Sequence, residues 1–93
     1  MGQVRVNRTH VVPYLRSLGP KERKRLRNAI RSLADDARPQ GLDIKLLDTD
    51  PDGSRYYRIR LGQHRIVYSV EGTDVYVHRA FDRRDGYGWL ERA

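Results

Sequence analysis

The residues of this chain best suited to chemistry are arginines set on alternating positions. Arg58 and Arg60 stand in YYRIRL, Arg65 follows in HRIVY, and Arg83 and Arg84 come next in FDRRDGY. A guanidinium carries a planar fork of donors that matches the oxygens of a phosphate or carboxylate. Arginines two residues apart on a strand point to one face, so Arg58 and Arg60 can act together on one anion. His78, with an ordinary pKa near 6.5, has the right acidity for a proton acceptor, and Asp82 follows on the same strand as a second candidate. His10 and His64 fall near a helix start and a turn and carry no such case. The three histidines match no metal-ligand spacing, and a chain without cysteine has neither a thiolate nucleophile nor a disulfide framework. No metal or cofactor is expected.

The elements that must hold these arginines follow from pattern. QVRVN (3–7) alternates as a short strand. Thr9 can cap a helix carrying Val11, Val12, Leu15 and Leu18, with Pro13 near its first turn. Gly19-Pro20 ends this helix and starts another, from Lys21 to about Asp36. There Leu26, Ala29, Ile30, Leu33 and Ala34 make an apolar face, opposite a solvated basic one. So short a connection predicts an antiparallel helix hairpin. Residues 37–54, with two prolines and two glycines, are expected to be irregular loop. Strands are expected at 55–61, 64–70 and 75–81. Gly62-Gln63 and Gly72-Thr73 suit two-residue turns with glycine first. The fold class is α+β: a short N-terminal strand and a helix hairpin packed on a C-terminal antiparallel sheet, in a single domain over 1–93.

These turns set a register. Leu61 pairs with His64, Arg60 with Arg65 and Arg58 with Val67; beyond the second turn, Val70 pairs with Val75, Val67 with His78 and Arg65 with Ala80. One row then holds Tyr57, Ile59, Leu61, Ile66, Tyr68, Val70, Val75, Val77, Arg79 and Phe81 and is the core face. The other holds Tyr56, Arg58, Arg60, Arg65, Val67, Ser69, Tyr76 and His78. Arg60 opposite Arg65 is a like-charge pair, destabilising by about 0.2–1 kcal/mol. No glutamate interrupts that face, which marks it as an anion site. The tail adds Arg83, Arg84, Tyr87 and Trp89; Tyr87 is placed for stacking, whereas Trp89 is expected to cap the sheet edge.

The chain has 93 residues, 38% of them hydrophobic, and a formal net charge of +7 from 19 basic and 12 acidic residues. Sixteen of the basic residues are arginine. Such charge in a small domain suits nucleic acid or an acidic protein partner and does not choose between them. No apolar run approaches the roughly 18 residues of a membrane span, and the N-terminus lacks a secretory pattern. A cytoplasmic location is expected.

Three segments together, SLGPKERKRLRNAIRSLADDARPQG, YYRIRLGQHRIVYSVEG and VYVHRAFDRRDGY, resemble the RelE/ParE superfamily of bacterial type II toxins. The resemblance spans nearly the whole chain, and YRIR followed by HRIVY is its specific part. It implies a ribosome-dependent messenger-RNA endonuclease that needs no metal. In such enzymes a ribose 2′-hydroxyl attacks the adjacent phosphate, leaving a 2′,3′-cyclic phosphate and a 5′-hydroxyl. It assigns Arg65 and Arg83 to transition-state charge, Arg58 and Arg60 to backbone binding and support of proton transfer, and Tyr87 to stacking or proton transfer. Arg55, Tyr56, Lys45 and Arg84 are candidates for RNA binding. Many relatives carry histidine before the arginine pair where this chain has Asp82, which leaves the proton donor and acceptor open; either His78 or Asp82 could serve as base. A cognate antitoxin segment, acidic or amphipathic, is the implied partner, alongside messenger RNA and the ribosome. The superfamily also includes ParE-like members that inhibit DNA gyrase and cut nothing, and binding-only relatives.

Overall fold

The computed structural model describes residues 2–85. Its elements run β1 (Val4–Val6), α1 (Arg8–Arg16), α2 (Pro20–Ser32), β2 (Asp43–Thr49), β3 (Arg55–Leu61), β4 (His64–Glu71) and β5 (Asp74–Asp82). The strands form one five-stranded sheet in the order β1-β5-β4-β3-β2. Strand β1 runs parallel to β5, and the other neighbours are antiparallel, so the sheet is mixed.

Helix α1 starts two residues earlier than a cap at Thr9 predicts. Asn7 is the cap, and its side-chain oxygen accepts the His10 N–H at 3.4 Å. Pro13 consequently lies in the body of α1, an unfavourable place for a residue with no N–H. The helix has only nine residues, and Val11, fully buried, ties it to the core. Helix α2 starts with Gly19 as cap and Pro20 in its first position. It ends at Ser32, short of Asp36, where the chain tightens into turns.

The two helices are antiparallel, as their contacts show. Arg23, early in α2, donates from Nε to the carbonyl of Leu15 at 3.1 Å and from its terminal nitrogen to that of Leu18 at 2.8 Å. Val6, Arg8 and Val11 share a groove with Arg27, Ile30 and Arg31 from the far end of α2. Arg23 thus ties itself to carbonyls at and just beyond the C-terminus of α1, where the Leu15 carbonyl also accepts the Leu18 N–H at 3.2 Å, and is not part of a purely solvated face.

One strand was not anticipated. Residues 43–49 lie inside the stretch expected to be loop, yet they pair along β3 from Asp43↔Arg60 to Thr49↔Arg55. Their pattern is obscured because a bulge between Leu46 and Asp48 skips Leu47, and this edge strand leaves Leu46 43% exposed.

The core lies between the helices and one sheet face. Val11, Leu26, Ala29, Ile30 and Leu33 pack there with Tyr57, Ile59, Ile66, Tyr68, Val70, Val75, Val77 and Ala80. Among the described residues no helix is long and apolar enough to cross a membrane.

Candidate nucleic-acid interface

The β3–β4 hairpin has the expected register: Leu61↔His64, Arg60↔Arg65 and Arg58↔Val67. Gly62 and Gly72 both have φ +61°, and among the described residues none other than glycine has positive φ, the combination a glycine-first two-residue turn requires.

The β4–β5 pairing begins as expected at Val70↔Val75 and then changes. Tyr68 pairs with Val77, but Val67 pairs with Arg79, which leaves His78 as an extra residue on β5. Val67 therefore does not face His78, and Arg65 faces Phe81 in place of Ala80. A one-residue insertion exchanges the faces of everything beyond it. Ala80 joins the core at 4% exposure, while Arg79 and Phe81 move to the open face. This removes the one charged residue that simple alternation put into the core row. It also moves Asp82, which pairs with His64 on the helix-facing side.

Two cross-strand rows now define the basic end of the open face. The first runs Asp43, Arg60, Arg65, Phe81; the second runs Lys45, Arg58, Val67, Arg79. Val67 and Phe81 are buried yet stand apart from the main core, as an apolar floor among cations. Strand β2 supplies both Lys45 and the carboxylate missing from the expected face. Asp43 lies 3.2 Å from Arg60 Nε and 3.5 Å from a terminal nitrogen of Arg58. Arg58 is the more enclosed of the pair, with its side chain 19% exposed and its buried Nε without a hydrogen-bond partner.

Arg65 is fixed by the turn beside it. Its terminal nitrogen donates to the Gly62 carbonyl at 2.8 Å and to the His64 carbonyl at 2.9 Å. Burial lowers its pKa from the ordinary arginine value, and the positive charges of Arg58, Arg60 and Arg83 lower it further. Arg83 comes close because its backbone N–H donates to the Gln63 carbonyl at 2.8 Å. Arg58, Arg60 and Arg83 thus surround Arg65 closely enough to lower its pKa, with Asp43 as the carboxylate among them, so positive charge is in excess beside the β3–β4 turn.

The other expected residues divide. Tyr56 and His78 are on the open face, where His78 Nε2 is 2.7 Å from Ser69 Oγ. Burial, and then the neighbouring Arg79, lowers the His78 pKa below its usual value and favours a neutral ring. Its rings of contact are Tyr56 and Tyr76, so it stands with the tyrosines. Arg55 pairs with Val70 and therefore belongs to the opposite face, exposed at the start of β3 and away from the cluster. Asp82 accepts the Arg84 N–H at 3.0 Å and its Nε at 3.2 Å. The Arg84 N–H is the main reason that the Asp82 carboxyl titrates below its usual range. Tyr87 and Trp89 lie outside the described residues.

His64 has a structural role that its sequence position does not reveal. It is 8% exposed, its Nδ1 is 2.6 Å from the Tyr14 hydroxyl and its Nε2 is 2.8 Å from Glu22. A turn-flanking histidine gives no hint of this, because its partners come from two helices far away in the chain.

Comparison with known proteins agrees with this architecture. Residues 7–87 match the family model described as the ParE toxin of the type II toxin–antitoxin system parDE. The fold is similar to that in the archaeal RelE–RelB complex from Pyrococcus horikoshii OT3, with 25% identity, TM-score 0.78, and 90% of this chain and 97% of that one covered. It is also similar to that in the RelB–RelE antitoxin–toxin complex from Methanococcus jannaschii, with 27% identity, TM-score 0.71, and 91% and 96% covered. A sequence comparison with curated proteins gives no match. With most of its length in the family model and a RelE-like sheet and helix hairpin, the chain belongs to the ParE toxin family of type II toxin–antitoxin systems, within the RelE/ParE superfamily.

Proposed function

We propose that this toxin is an endoribonuclease that cuts messenger RNA in the ribosomal decoding site and thereby stops translation. The observation that carries the reading is the convergence of Arg58, Arg60, Arg65 and Arg83 around the β3–β4 turn. A 2′-hydroxyl attacks the neighbouring phosphorus, the bond to the 5′-oxygen breaks, and the products are a 2′,3′-cyclic phosphate and a 5′-hydroxyl. Negative charge grows on the non-bridging oxygens in the transition state. Preorganised cations placed there lower the barrier, and one such donor contributes on the order of 10²–10³ in rate. Arg65, clamped by two carbonyls, and Arg83 take that role. Arg58, Arg60 and Lys45 hold the backbone. Four guanidinium groups repel a divalent cation, so the arginines themselves neutralise the charge. Tyr87 is assigned to stacking or proton transfer by family resemblance. His78, neutral and on the open face, is a better proton acceptor than Asp82, which faces the helices.

The ParE family match favours a second reading, inhibition of DNA gyrase without RNA cleavage. A cognate antitoxin is proposed under either reading, because the similar structures are toxin–antitoxin complexes. An acidic or amphipathic segment covering the arginine face or the basic helix face would suit the charge. Brief expression in a growing bacterium separates the two readings. The nuclease reading expects arrested protein synthesis and new 5′ ends within translated messages by primer extension. Gyrase-dependent DNA breaks with intact messages would overturn it.

A further inference from the structure

Beyond the arginine cluster, the same sheet face carries a second group of side chains, of which the proposed chemistry uses only His78, as proton acceptor. The next cross-strand row runs Tyr56, Ser69, Tyr76, Arg5 across β3, β4, β5 and β1. The bulge adds His78 to this row. Its ring centroid is 4.6 Å from that of Tyr76, edge-on at 80°, and 5.5 Å from that of Tyr56, tilted by 35°. The three rings make a continuous aromatic surface, and Ser69 holds the imidazole from below at 2.7 Å. Alongside lies a shallow cavity of about 230 Å³ lined by Arg5, Ser69, Glu71, Asp74, Val75 and Tyr76.

We propose that the Tyr56–His78–Tyr76 patch stacks an unpaired nucleobase of the RNA strand whose phosphates occupy the arginine cluster. The inference rests on the nuclease reading for the identity of the strand and adds the place of one base. Three observations favour a base over backbone at this position. Tyr56 is two residues from Arg58 on one strand face, on the order of 7 Å, a separation that an extended nucleotide spans between its base and a neighbouring phosphate. The carboxylates of Glu71 and Asp74 border the cavity, so they repel phosphate while offering acceptors to the N–H edge of a base. Half-buried aromatic rings beside arginines are the combination that unpaired bases use on protein surfaces.

The test is binding of the full chain to a short single-stranded RNA carrying 2′-O-methyl groups, which cannot be cleaved by 2′-hydroxyl attack. The same strand with single abasic positions serves as the comparison. One abasic position should weaken binding to the wild-type protein by roughly 5- to 150-fold, the range of one base stacked on an aromatic group. Tyr76→Ala should lose that discrimination and bind intact and abasic strands alike, while Tyr76→Phe should keep it. Equal affinity of the wild-type protein for intact and every abasic strand would overturn the proposal without recourse to any variant. Unchanged RNA affinity in Tyr76→Ala with weakened antitoxin binding would overturn it too, by assigning the patch to a protein partner. Cleavage without base discrimination sinks the patch alone. Discrimination without cleavage on ribosomes leaves the patch standing and removes the nuclease.

Discussion

The backbone N–H of Arg83 donates to the carbonyl of Gln63 at 2.8 Å, which fastens the end of β5 to the β3–β4 turn. The adjoining Gly62 carbonyl accepts from Arg65. One two-residue turn therefore supports both arginines given the transition-state role. Its geometry depends on Gly62 at φ +61°, where a Cβ would also stand 3.2 Å from an Arg25 nitrogen.

Gly62→Ala should therefore act on stability and activity together. A side chain in the left-handed region costs about 1–2 kcal/mol, whereas the flexible end of Arg25 can yield. Urea unfolding should show a loss of that size, with reduced RNA cleavage as both arginines shift. Wild-type cleavage at reduced stability would separate the turn from the chemistry.

Arg65→Ala should separate the same two properties. Removing the side chain gives up two hydrogen bonds to turn carbonyls, each worth about 0.5–1.5 kcal/mol net at most. It also relieves repulsion from Arg60 directly opposite, worth about 0.2–1 kcal/mol. The lost bonds outweigh this relief by about 1 kcal/mol, which predicts a melting temperature lower by about 4–8 °C and a cleavage rate lower by about 10²–10³-fold. Single-turnover cleavage beside a thermal melt measures both.

Much of this site is legible in the sequence, and the parts that are not have physical causes. Alternation and two glycine-first turns place Arg58, Arg60 and Arg65 on one face, because turn chemistry and side-chain parity are local properties. The bulge at His78 is invisible to parity, since VYVHRAF alternates plausibly in either register. Arg79 in an otherwise apolar row is its trace in the sequence, and the bulge reverses the faces that alternation gives to Arg79, Ala80, Phe81 and Asp82. Strand β2 was missed because Asp43, Lys45 and Asp48 are poor strand formers and Leu47 breaks the alternation. With it went Asp43, the carboxylate that bridges Arg58 and Arg60.

The Tyr14–His64–Glu22 chain should matter for folding. Tyr14→Phe removes the hydroxyl at 2.6 Å from His64 Nδ1 and leaves a largely buried nitrogen without that partner. A loss of about 1–3 kcal/mol is expected in chemical denaturation. A change below about 0.5 kcal/mol would mean that water replaces the hydroxyl without cost.

Acidification should weaken the fold through His78. Its folded-state pKa lies below the ordinary 6.5 because burial disfavours the charged ring. The unfolded chain therefore takes up this proton first as pH falls below about 6.5. Stability from this group is complete above that pH and is lost as pH drops through the folded value. Asp52 and Asp82 act in the same direction, but only below about pH 4, where carboxylates titrate. His78→Gln should flatten the stability profile between about pH 6.5 and 5 relative to wild type, measured by urea unfolding at each pH. An identical slope in both proteins would contradict this origin.

The central claim is that the arginine cluster performs phosphodiester transfer to a 2′-hydroxyl on ribosome-bound messages. Its most direct test is the chemistry of the ends produced when purified toxin meets ribosomes programmed with a defined message. The account predicts a 2′,3′-cyclic phosphate upstream of the cut and a 5′-hydroxyl downstream, formed by wild type and lost with Arg65→Ala. An intact message, or cuts that leave a 3′-hydroxyl and a 5′-phosphate, would contradict it.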